Sequence, residues 1–252
     1  MNAITAPTDS SDLPELRIEG AVATIRLRRP AQANRLSADD LERLAALIAE
    51  VDARPEVLVL LLRGSGKYFC SGYDIGSIGA ERKVDFEGVV DALEMARAVT
   101  VAVLHGGVYG GATDLALACD FRVGATGIDM FMPAARLGLH YYRSGLERYV
   151  SRLGLDNAKL LFLTARRIDA VEMKRIGYLT QLAEPERLEE EVSALVRDCA
   201  SMAPIALTGM KHHLNRIARG TLDPQALDAS IRRAYLSEDS VSYTHLTLPT
   251  KA

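Results

Sequence analysis

The sequence has no large excess of charge of either sign. Its 252 residues carry a formal net charge of −3, with a pI near 6.0, which gives no electrostatic reason to bind nucleic acid or an anionic membrane. Its apolar runs are short, and none reaches the length of a membrane-spanning helix. The first residues also lack the basic start and apolar run of a signal peptide. We therefore expect neither nucleic acid nor a membrane as a partner.

Cysteine is scarce, and the histidines are dispersed. Cys70, Cys119 and Cys199 are odd in number and lie in apolar surroundings, as is typical of reduced thiols in a cytoplasmic protein. Of the five histidines, only His212 and His213 are neighbours in the sequence. Because metal sites need ligands at characteristic spacings, we expect no metal site and a cytoplasmic location.

Strand and helix patterns alternate through about residue 184, and three helical patterns follow. Apolar runs over 57–63 and 100–105 predict buried strands, and residues 68–75 predict a short strand that ends in a loop. Ser37, with Asp40 three residues later, predicts a capped helix start. With 48% hydrophobic residues the chain can bury a sizeable core. The order of elements predicts an α/β fold with a helical C-terminal part.

The stretch TVAVLHGGVYGGATDLALACD (100–120) combines a buried strand, four glycines and a helix that contains one acid, Asp114. A glycine-rich turn into a helix presents backbone N–H groups that favour negative charge. The phosphate-binding motif G-x-x-x-x-G-K-[ST] and the dinucleotide motif G-x-G-x-x-G are both missing here. An oxyanion therefore fits better than a phosphate. On the residues alone, tight strand–helix packing, with Asp114 stabilising its own helix, is an equally good explanation.

Several motifs in order resemble those of the enoyl-CoA hydratase/isomerase (crotonase) family. They are RRPAQANRLS (28–37), FCSGYDIGSI (69–78), HGGVYGGATDLALACDFRVGA (105–125), FMPAARLGL (131–139) and LFLTARRIDAVEMKRIGYLTQ (161–181). Together they span roughly residues 16–240. The resemblance implies a spiral of strand–strand–helix units over 1–200 and a helical oligomerisation region over 201–240. It also implies an acyl-CoA thioester substrate, no cofactor, and a homo-trimer or hexamer.

The resemblance assigns an oxyanion hole to the backbone N–H groups of Tyr73 and Gly111, which would hold the thioester oxygen of an enolate. The two glutamates with which the family's hydratases add water match Asp114 and Ala134 here. Alanine cannot move a proton, so the sequence argues against efficient hydration by two acids. Asp114 is expected to face the acyl carbons and to act as a single base or to orient the substrate.

The segment LGLHYYRSGLERYV (137–150) is bulkier and more polar than the matching loop of the hydratases. It partly resembles methylmalonyl-CoA decarboxylase, which has a tyrosine matching Tyr141 and an acid matching Asp114, and this makes Tyr141 a catalytic candidate. His140 and Tyr142 are expected to line the substrate pocket, with solvated loop or packing roles as the alternatives. Glu147 is a possible substitute acid or a surface charge. A β-carboxyacyl-CoA decarboxylase and a non-catalytic acyl-CoA-binding protein therefore remain alternatives to a hydratase or isomerase.

Two further expectations concern the ends of the chain. Arg28, Arg29 and Arg35 lie in the first motif and are candidates to bind the phosphates of coenzyme A, with solvent-facing strand-end charges as the alternative. The threonine-rich residues 241–252 depart from the family pattern. They are expected to be a non-native tail without a regular helix.

Overall fold

The computed structural model describes residues 12–74 and 84–237, in which two β-sheets are packed with α-helices. The strands of the larger sheet are β1 (Glu15–Glu19), β2 (Val22–Leu27), β3 (Val59–Gly64), β4 (Val99–Leu104), β6 (Phe121–Ala125) and β9 (Gln181–Ala183). A smaller sheet contains β5 (Val108–Tyr109), β7 (Asp129–Phe131) and β8 (Ile168–Asp169). The predicted α/β class is confirmed.

The larger sheet has the spatial order β1-β2-β3-β4-β6-β9. Only the β1–β2 hairpin is antiparallel, and the other neighbours pair in parallel. Every residue of β4 is buried, as its continuous apolar sequence predicts for a strand covered on both faces. The carboxyl ends of the parallel strands therefore meet at one edge, where substrate sites of α/β proteins usually lie.

Nine α-helices occur in the described residues. They are α1 (Ala38–Asp52), α2 (Phe86–Met95), α3 (Gly111–Ala118), α4 (Arg143–Leu153), α5 (Leu155–Thr164), α6 (Ala170–Arg175), α7 (Leu188–Ala200), α8 (Pro204–Ala218) and α9 (Pro224–Tyr235). The capping box at the start of α1 is confirmed, since the Ser37 N–H donates to Asp40 Oδ2 at 2.7 Å and the Asp40 N–H donates back to Ser37 Oγ. The three C-terminal helices follow β9, as predicted.

The strand predicted over 68–75 is wrong. This segment makes isolated bridges, Cys70 to Val108 and Tyr73 to Leu36, and is otherwise a loop as far as residue 74. The backbone of Gly72, with φ of +99°, turns the chain out of the extended conformation that a strand needs. The smaller sheet was not predicted, because strands of two or three residues are too short to show a periodic pattern.

The loop that carries Tyr73 is held in place by the buried side chain of Asn34. Its amide Nδ2 donates to the carbonyl oxygens of Ser65, Tyr68 and Phe69 at 2.8, 2.9 and 3.1 Å. The backbone of Leu36 adds two bonds, to Gly72 O and from the Asp74 N–H. The N-terminal motif therefore positions a loop that follows β3.

The helices α8 and α9 cover 204–218 and 224–235. Asn215 of α8 donates to the backbone carbonyl of Glu94 on α2 at 2.8 Å, which ties α8 to the rest of the fold. Of the helices in the described ranges, none combines the length and apolar character needed to cross a membrane. The predicted non-native tail at 241–252 lies outside the described residues.

Candidate active site

An open cavity with a volume of about 690 Å³ lies at the carboxyl edge of the larger sheet. Its wall is built from the Tyr73 loop, the start of α2, the glycine turn before α3, and the segment from β7 to α4. The lining residues used below are Arg35, Tyr73, Phe86, Glu87, Gly111, Ala134, His140, Tyr141 and Tyr142. Six predicted site residues besides Arg35 thus share one cavity: Tyr73, Gly111, Ala134, His140, Tyr141 and Tyr142.

The Tyr73 loop and the glycine turn touch each other. A Cβ atom on Gly72 would lie 3.0 Å from the Gly111 nitrogen and 2.8 Å from the Tyr109 carbonyl oxygen, so a larger residue could not approach this closely. The Gly110 N–H bonds to the Phe131 carbonyl oxygen. Gly111 begins α3, where amide groups have no acceptor within the helix. The close contact brings the backbones around Tyr73 and Gly111 to one part of the wall.

Aromatic rings continue the wall from this contact. The ring of Phe86 stacks on Tyr73 with centroids 5.7 Å apart and meets the edge of Tyr142 at 6.1 Å. Tyr142 stacks on Tyr141 at 4.4 Å, and Tyr141 packs against Phe162 at 5.0 Å. The two adjacent tyrosines thus form a half-buried aromatic pair, which Phe86 links to Tyr73.

Asp114 lies behind this pair and is fully buried, with no exposed surface. It does not line the cavity. The hydroxyl of Tyr142 donates a short hydrogen bond to Asp114 Oδ2, whereas the Tyr141 hydroxyl lies 3.5 Å from the Tyr142 hydroxyl. Asp114 Oδ1 has no hydrogen-bond partner in the described part of the chain. Tyr142 therefore connects the cavity to the buried carboxylate.

The partner of Asp114 on its buried side is Arg148 of α4, whose guanidinium is fully buried. Its Nη1 donates to Asp114 Oδ2 at 2.7 Å, its Nε to Glu94 Oε1 at 3.0 Å, and its Nη2 to Asp91 Oδ1 at 2.6 Å. Arg219, which directly follows α8, also pairs with Glu94. A buried charge is tolerated only when it is paired and hydrogen-bonded. Arg148 meets this condition with three carboxylates.

Burial and charge shift the pKa values in this cluster. Burial raises the pKa of the Asp114 carboxyl, and Arg148 and the Tyr142 hydroxyl oppose that rise. Burial, together with the charge of Asp114, raises the pKa of Tyr142 well above its ordinary value. Tyr142 is therefore protonated at neutral pH, and it is a hydrogen-bond donor. Shifted acid–base groups next to a cavity are typical of catalytic sites.

The other predicted site residues differ in their positions relative to the cavity. Ala134 is buried in the wall, and His140 is exposed at its edge. Arg35 lines the cavity with its guanidinium 4.0 Å from Asp74. Arg28 pairs with Glu15 at 3.5 Å and Arg29 pairs with Asp40 at 3.1 Å, and neither lines the cavity.

Glu147, the possible substitute acid, also lies outside the cavity lining, paired with Arg143 at 2.6 Å and with Arg219 at 3.3 Å. Its partners support the surface-charge alternative.

Two parts of the site were missed by the sequence analysis. One is Arg148, which is buried four residues after the buried Ser144 of α4 and so lies on the same helical face. An arginine on a buried face signals a paired charge and could have been noticed. The other is the start of α2, which brings Phe86 and Glu87 to the cavity, and for this we find no sequence signal. Within 12–74 and 84–237, no group of three or more His, Cys, Asp or Glu residues is arranged to hold a metal ion.

Comparison with known proteins identifies the family of this chain. The sequence model of the enoyl-CoA hydratase/isomerase family matches residues 17–244. A short-chain-enoyl-CoA hydratase of Clostridium acetobutylicum is 31% identical over 209 residues, which cover 80% of each chain. A peroxisomal Δ(3,5)-Δ(2,4)-dienoyl-CoA isomerase of Arabidopsis thaliana is 28% identical over 246 residues, covering 89% of this chain and 88% of the isomerase.

A crystal structure of a Thermobifida fusca YX protein in complex with CoA superposes with a TM-score of 0.77 at 26% identity. The match covers 92% of this chain and 96% of that one. The chain belongs to the enoyl-CoA hydratase/isomerase family, and it is an enzyme of the kind that acts on acyl-CoA. The predicted crotonase-type fold is likewise confirmed.

Proposed function

We propose that the enzyme forms a thioester enolate from an acyl-CoA and moves one proton at the carbon beside the thioester. The observation that supports this most is the close approach of Gly72 to Gly111. The Gly111 nitrogen lies 3.0 Å from the position that a Cβ atom on Gly72 would take. This close approach joins two loops whose amides at Tyr73 and Gly111 can approach one oxygen. Two N–H donors aimed at a developing oxyanion form a strong catalytic device, and one such donor contributes roughly 10²–10³ in rate.

Hydration by two carboxylic acids fits the cavity poorly. Ala134, which matches the second glutamate of the hydratases by sequence resemblance, lines the cavity and carries no acid, and Asp114 is buried and bonded to Tyr142. Other carboxylates in the wall already have partners. Asp85 caps α2 by accepting from the Gly88 N–H at 2.7 Å, and Glu87 accepts from Ser144 Oγ at 2.8 Å. An isomerisation needs only one group that removes a proton and returns it, which suits this site better.

Decarboxylation of a β-carboxyacyl-CoA is the second candidate. It also passes through an enolate, and the apolar side chains of Met132, Leu137 and Leu139 in the wall favour it. A carboxylate held among apolar groups loses solvation, and loss of CO₂ relieves that cost. The same oxyanion hole serves both reactions.

Three further parts of the proposal concern partners and location. Arg35 at the cavity is the remaining candidate to meet a coenzyme A phosphate. Met210, Leu214 and Ile217 are exposed along α8 at helical spacing, which supports a homo-trimer or hexamer. A cytoplasmic location stays a prediction.

Exchange of protons with D₂O tests the proposal. Butyryl-CoA has no double bond to hydrate or shift, so enolate formation shows only as deuterium entering the carbon beside the thioester. We expect a mass gain in the presence of the enzyme and none in its absence. In parallel, 3-enoyl-CoA isomerisation and methylmalonyl-CoA decarboxylation identify the reaction, and crotonyl-CoA hydration is expected to be weak. Binding of all these thioesters without exchange or turnover would instead identify an acyl-CoA-binding protein.

A further inference from the structure

The position of Asp114 separates the carboxylate from the substrate cavity. Asp114 has no exposed surface, whereas Tyr142 is half-buried and lines the cavity. The Tyr142 hydroxyl donates to Asp114 Oδ2, and Arg148 Nη1 donates to the same oxygen at 2.7 Å. A substrate in the cavity therefore meets the tyrosine before it meets the acid.

We propose that Tyr142 is the catalytic residue that exchanges a proton with the substrate, and that Asp114 and Arg148 act through it as positioning residues. This assignment rests on the proposed enolate chemistry, because it names the group that performs the proton step. It differs from the sequence-based expectation, in which Asp114 faces the acyl carbons and Tyr141 is the catalytic tyrosine.

The proton step balances without any other reactant. The C–H bond beside the thioester breaks, and its electron pair becomes part of the enolate. The Tyr142 oxygen takes that proton while its own proton passes to Asp114 Oδ2. The reverse transfer delivers a proton to carbon, at the same position for exchange or at a different carbon for isomerisation.

The surroundings of Asp114 suit a carboxylate that accepts a proton and later returns it. Burial raises the pKa of its carboxyl, which makes it a better proton acceptor than an exposed aspartate. Its second oxygen, Oδ1, has no hydrogen-bond partner in the residues that the structure describes. Titratable and charged groups face it from α2, α4, the segment before α4 and the segment before β9. They are Glu94, Arg148, Tyr149, Tyr141, Tyr142 and Tyr178.

Arg148 supplies a constant positive charge to this cluster. Arginine stays protonated in proteins, so its charge does not change while protons move beside it. Its hydrogen bonds to Glu94 and Asp91 fix the guanidinium from the far side, at 3.0 and 2.6 Å. Arg148 thus holds Asp114 Oδ2 toward the Tyr142 hydroxyl and limits how far burial raises the pKa of Asp114.

The first test replaces Tyr142 by phenylalanine, which keeps the ring and removes the hydroxyl. We expect deuterium exchange and turnover to fall by about 10²–10⁴, the usual contribution of acid–base catalysis, with acyl-CoA binding retained. Tyr149→Phe is the matched control, because Tyr149 is a fully buried tyrosine of α4 whose hydroxyl bonds to Thr113, next to Asp114 in the sequence. It removes a buried hydroxyl nearby, and we expect exchange to continue at close to the wild-type rate.

The second test uses the pH dependence of exchange by an Asp114→Asn variant, and it serves even if Tyr142→Phe does not fold. The wild-type rate should fall at low pH as Asp114 becomes protonated. The Asp114→Asn variant should keep only a small residual exchange rate, and that rate should not fall at low pH. Asp114→Glu should restore part of the rate and part of its fall at low pH. A merely structural role of Asp114 would lower the rate at every pH and leave the shape of the profile unchanged.

The outcomes separate this assignment from the proposed function. A wild-type enzyme that binds butyryl-CoA but exchanges no proton would overturn the enolate chemistry and this assignment together. A wild-type enzyme that exchanges, with a folded Tyr142→Phe variant that exchanges equally fast, would overturn the assignment alone. A profile for Asp114→Asn that parallels the wild type would overturn the role of Asp114.

Discussion

One end of the cavity presents backbone groups, and the other end presents side chains. At one end, the contact of Gly72 with Gly111 offers backbone amides, whose position depends on two turns and on the absence of side chains. At the other end, Tyr142, Asp114 and Arg148 offer side chains that come from α3, from α4 and from the segment before α4. In the proposed mechanism the first end stabilises the oxyanion, and the second end decides which proton moves.

The two ends should also respond differently to substitution. Backbone donors fail when something fills the space in front of them, and stability need not change. A buried charge cluster fails when one charge is removed, because the remaining charges are left unpaired in the interior. Substitutions at the two ends should therefore differ in whether they affect activity alone or stability as well.

The largest effect is expected from Gly111→Val. A Cβ at this position would already lie 2.9 Å from Cζ of Phe86, so a branched side chain must push into the oxyanion hole or displace the ring. Loss of an oxyanion donor costs roughly 10²–10³ in rate, and we expect a loss of at least about 10³ here because access is blocked as well. Steady-state turnover and deuterium exchange measure it, with circular dichroism to confirm folding.

The control for that variant is Gly209→Ala on α8, where no atom lies within 4 Å of the new Cβ. It should keep normal activity. Turnover near the wild-type rate in Gly111→Val would exclude the Gly111 amide from the oxyanion hole and would remove the distinction between the two ends.

Removal of Arg148 tests the charged end. Arg148→Met leaves Asp114 buried without its cation and removes one of the arginines that pair with Glu94, so we expect a loss of about 3–5 kcal/mol in the free energy of unfolding. Urea denaturation measures the loss. Arg143→Met on the same helix is the matched control, because that arginine is 90% exposed and solvent screens its pair with Glu147, so the pair should contribute little to stability. Equal losses in both variants would show that the buried cluster is no more important than a surface ion pair.

The sequence predicted the backbone end far better than the charged end. Glycine patterns are local, so 105–125 already indicated the turn and the helix that begins at Gly111. The partners of Asp114 come from residues 28 and 34 positions later, and no local pattern reports which of two adjacent tyrosines turns inward. The same limit explains the missed strands of the smaller sheet and the wrong strand at 68–75, where pairing across the fold decides the structure.

A smaller effect should follow when an acid is added to the cavity wall. Ala134→Glu places a carboxylate beside the aromatic pair, so a water molecule could be activated there while Tyr142 supplies a proton. We expect crotonyl-CoA hydration to rise at least about tenfold, well inside the range of acid–base catalysis. The loss of the enoyl thioester absorbance measures it. Arg136→Glu, exposed on the same short turn, is the control and should not raise hydration. If Ala134→Glu hydrates crotonyl-CoA as slowly as the wild type, the missing second acid is not the reason for slow hydration.

The smallest effect concerns the pH dependence of stability. Burial alone would raise the pKa of Glu94, but Arg148 and Arg219 outweigh it and hold that pKa below the ordinary value of 4.5. A depressed folded-state pKa stabilises the protein above about pH 4.5, and that contribution is lost as the pH falls through the folded-state pKa. Each unit of depression contributes about 1.4 kcal/mol. The difference in unfolding free energy between wild type and Glu94→Gln should therefore shrink below about pH 4.5, and a constant difference would contradict the assignment.

The most direct test of the central claim is a crystal structure of the enzyme with a bound, unreactive acyl-CoA thioester analogue. We predict that the thioester oxygen lies within about 3.2 Å of both the Tyr73 and Gly111 nitrogens, with the Tyr142 hydroxyl facing the neighbouring carbon and Asp114 still covered. A thioester oxygen away from these two amides, or an Asp114 carboxylate in direct contact with the acyl chain, would contradict it.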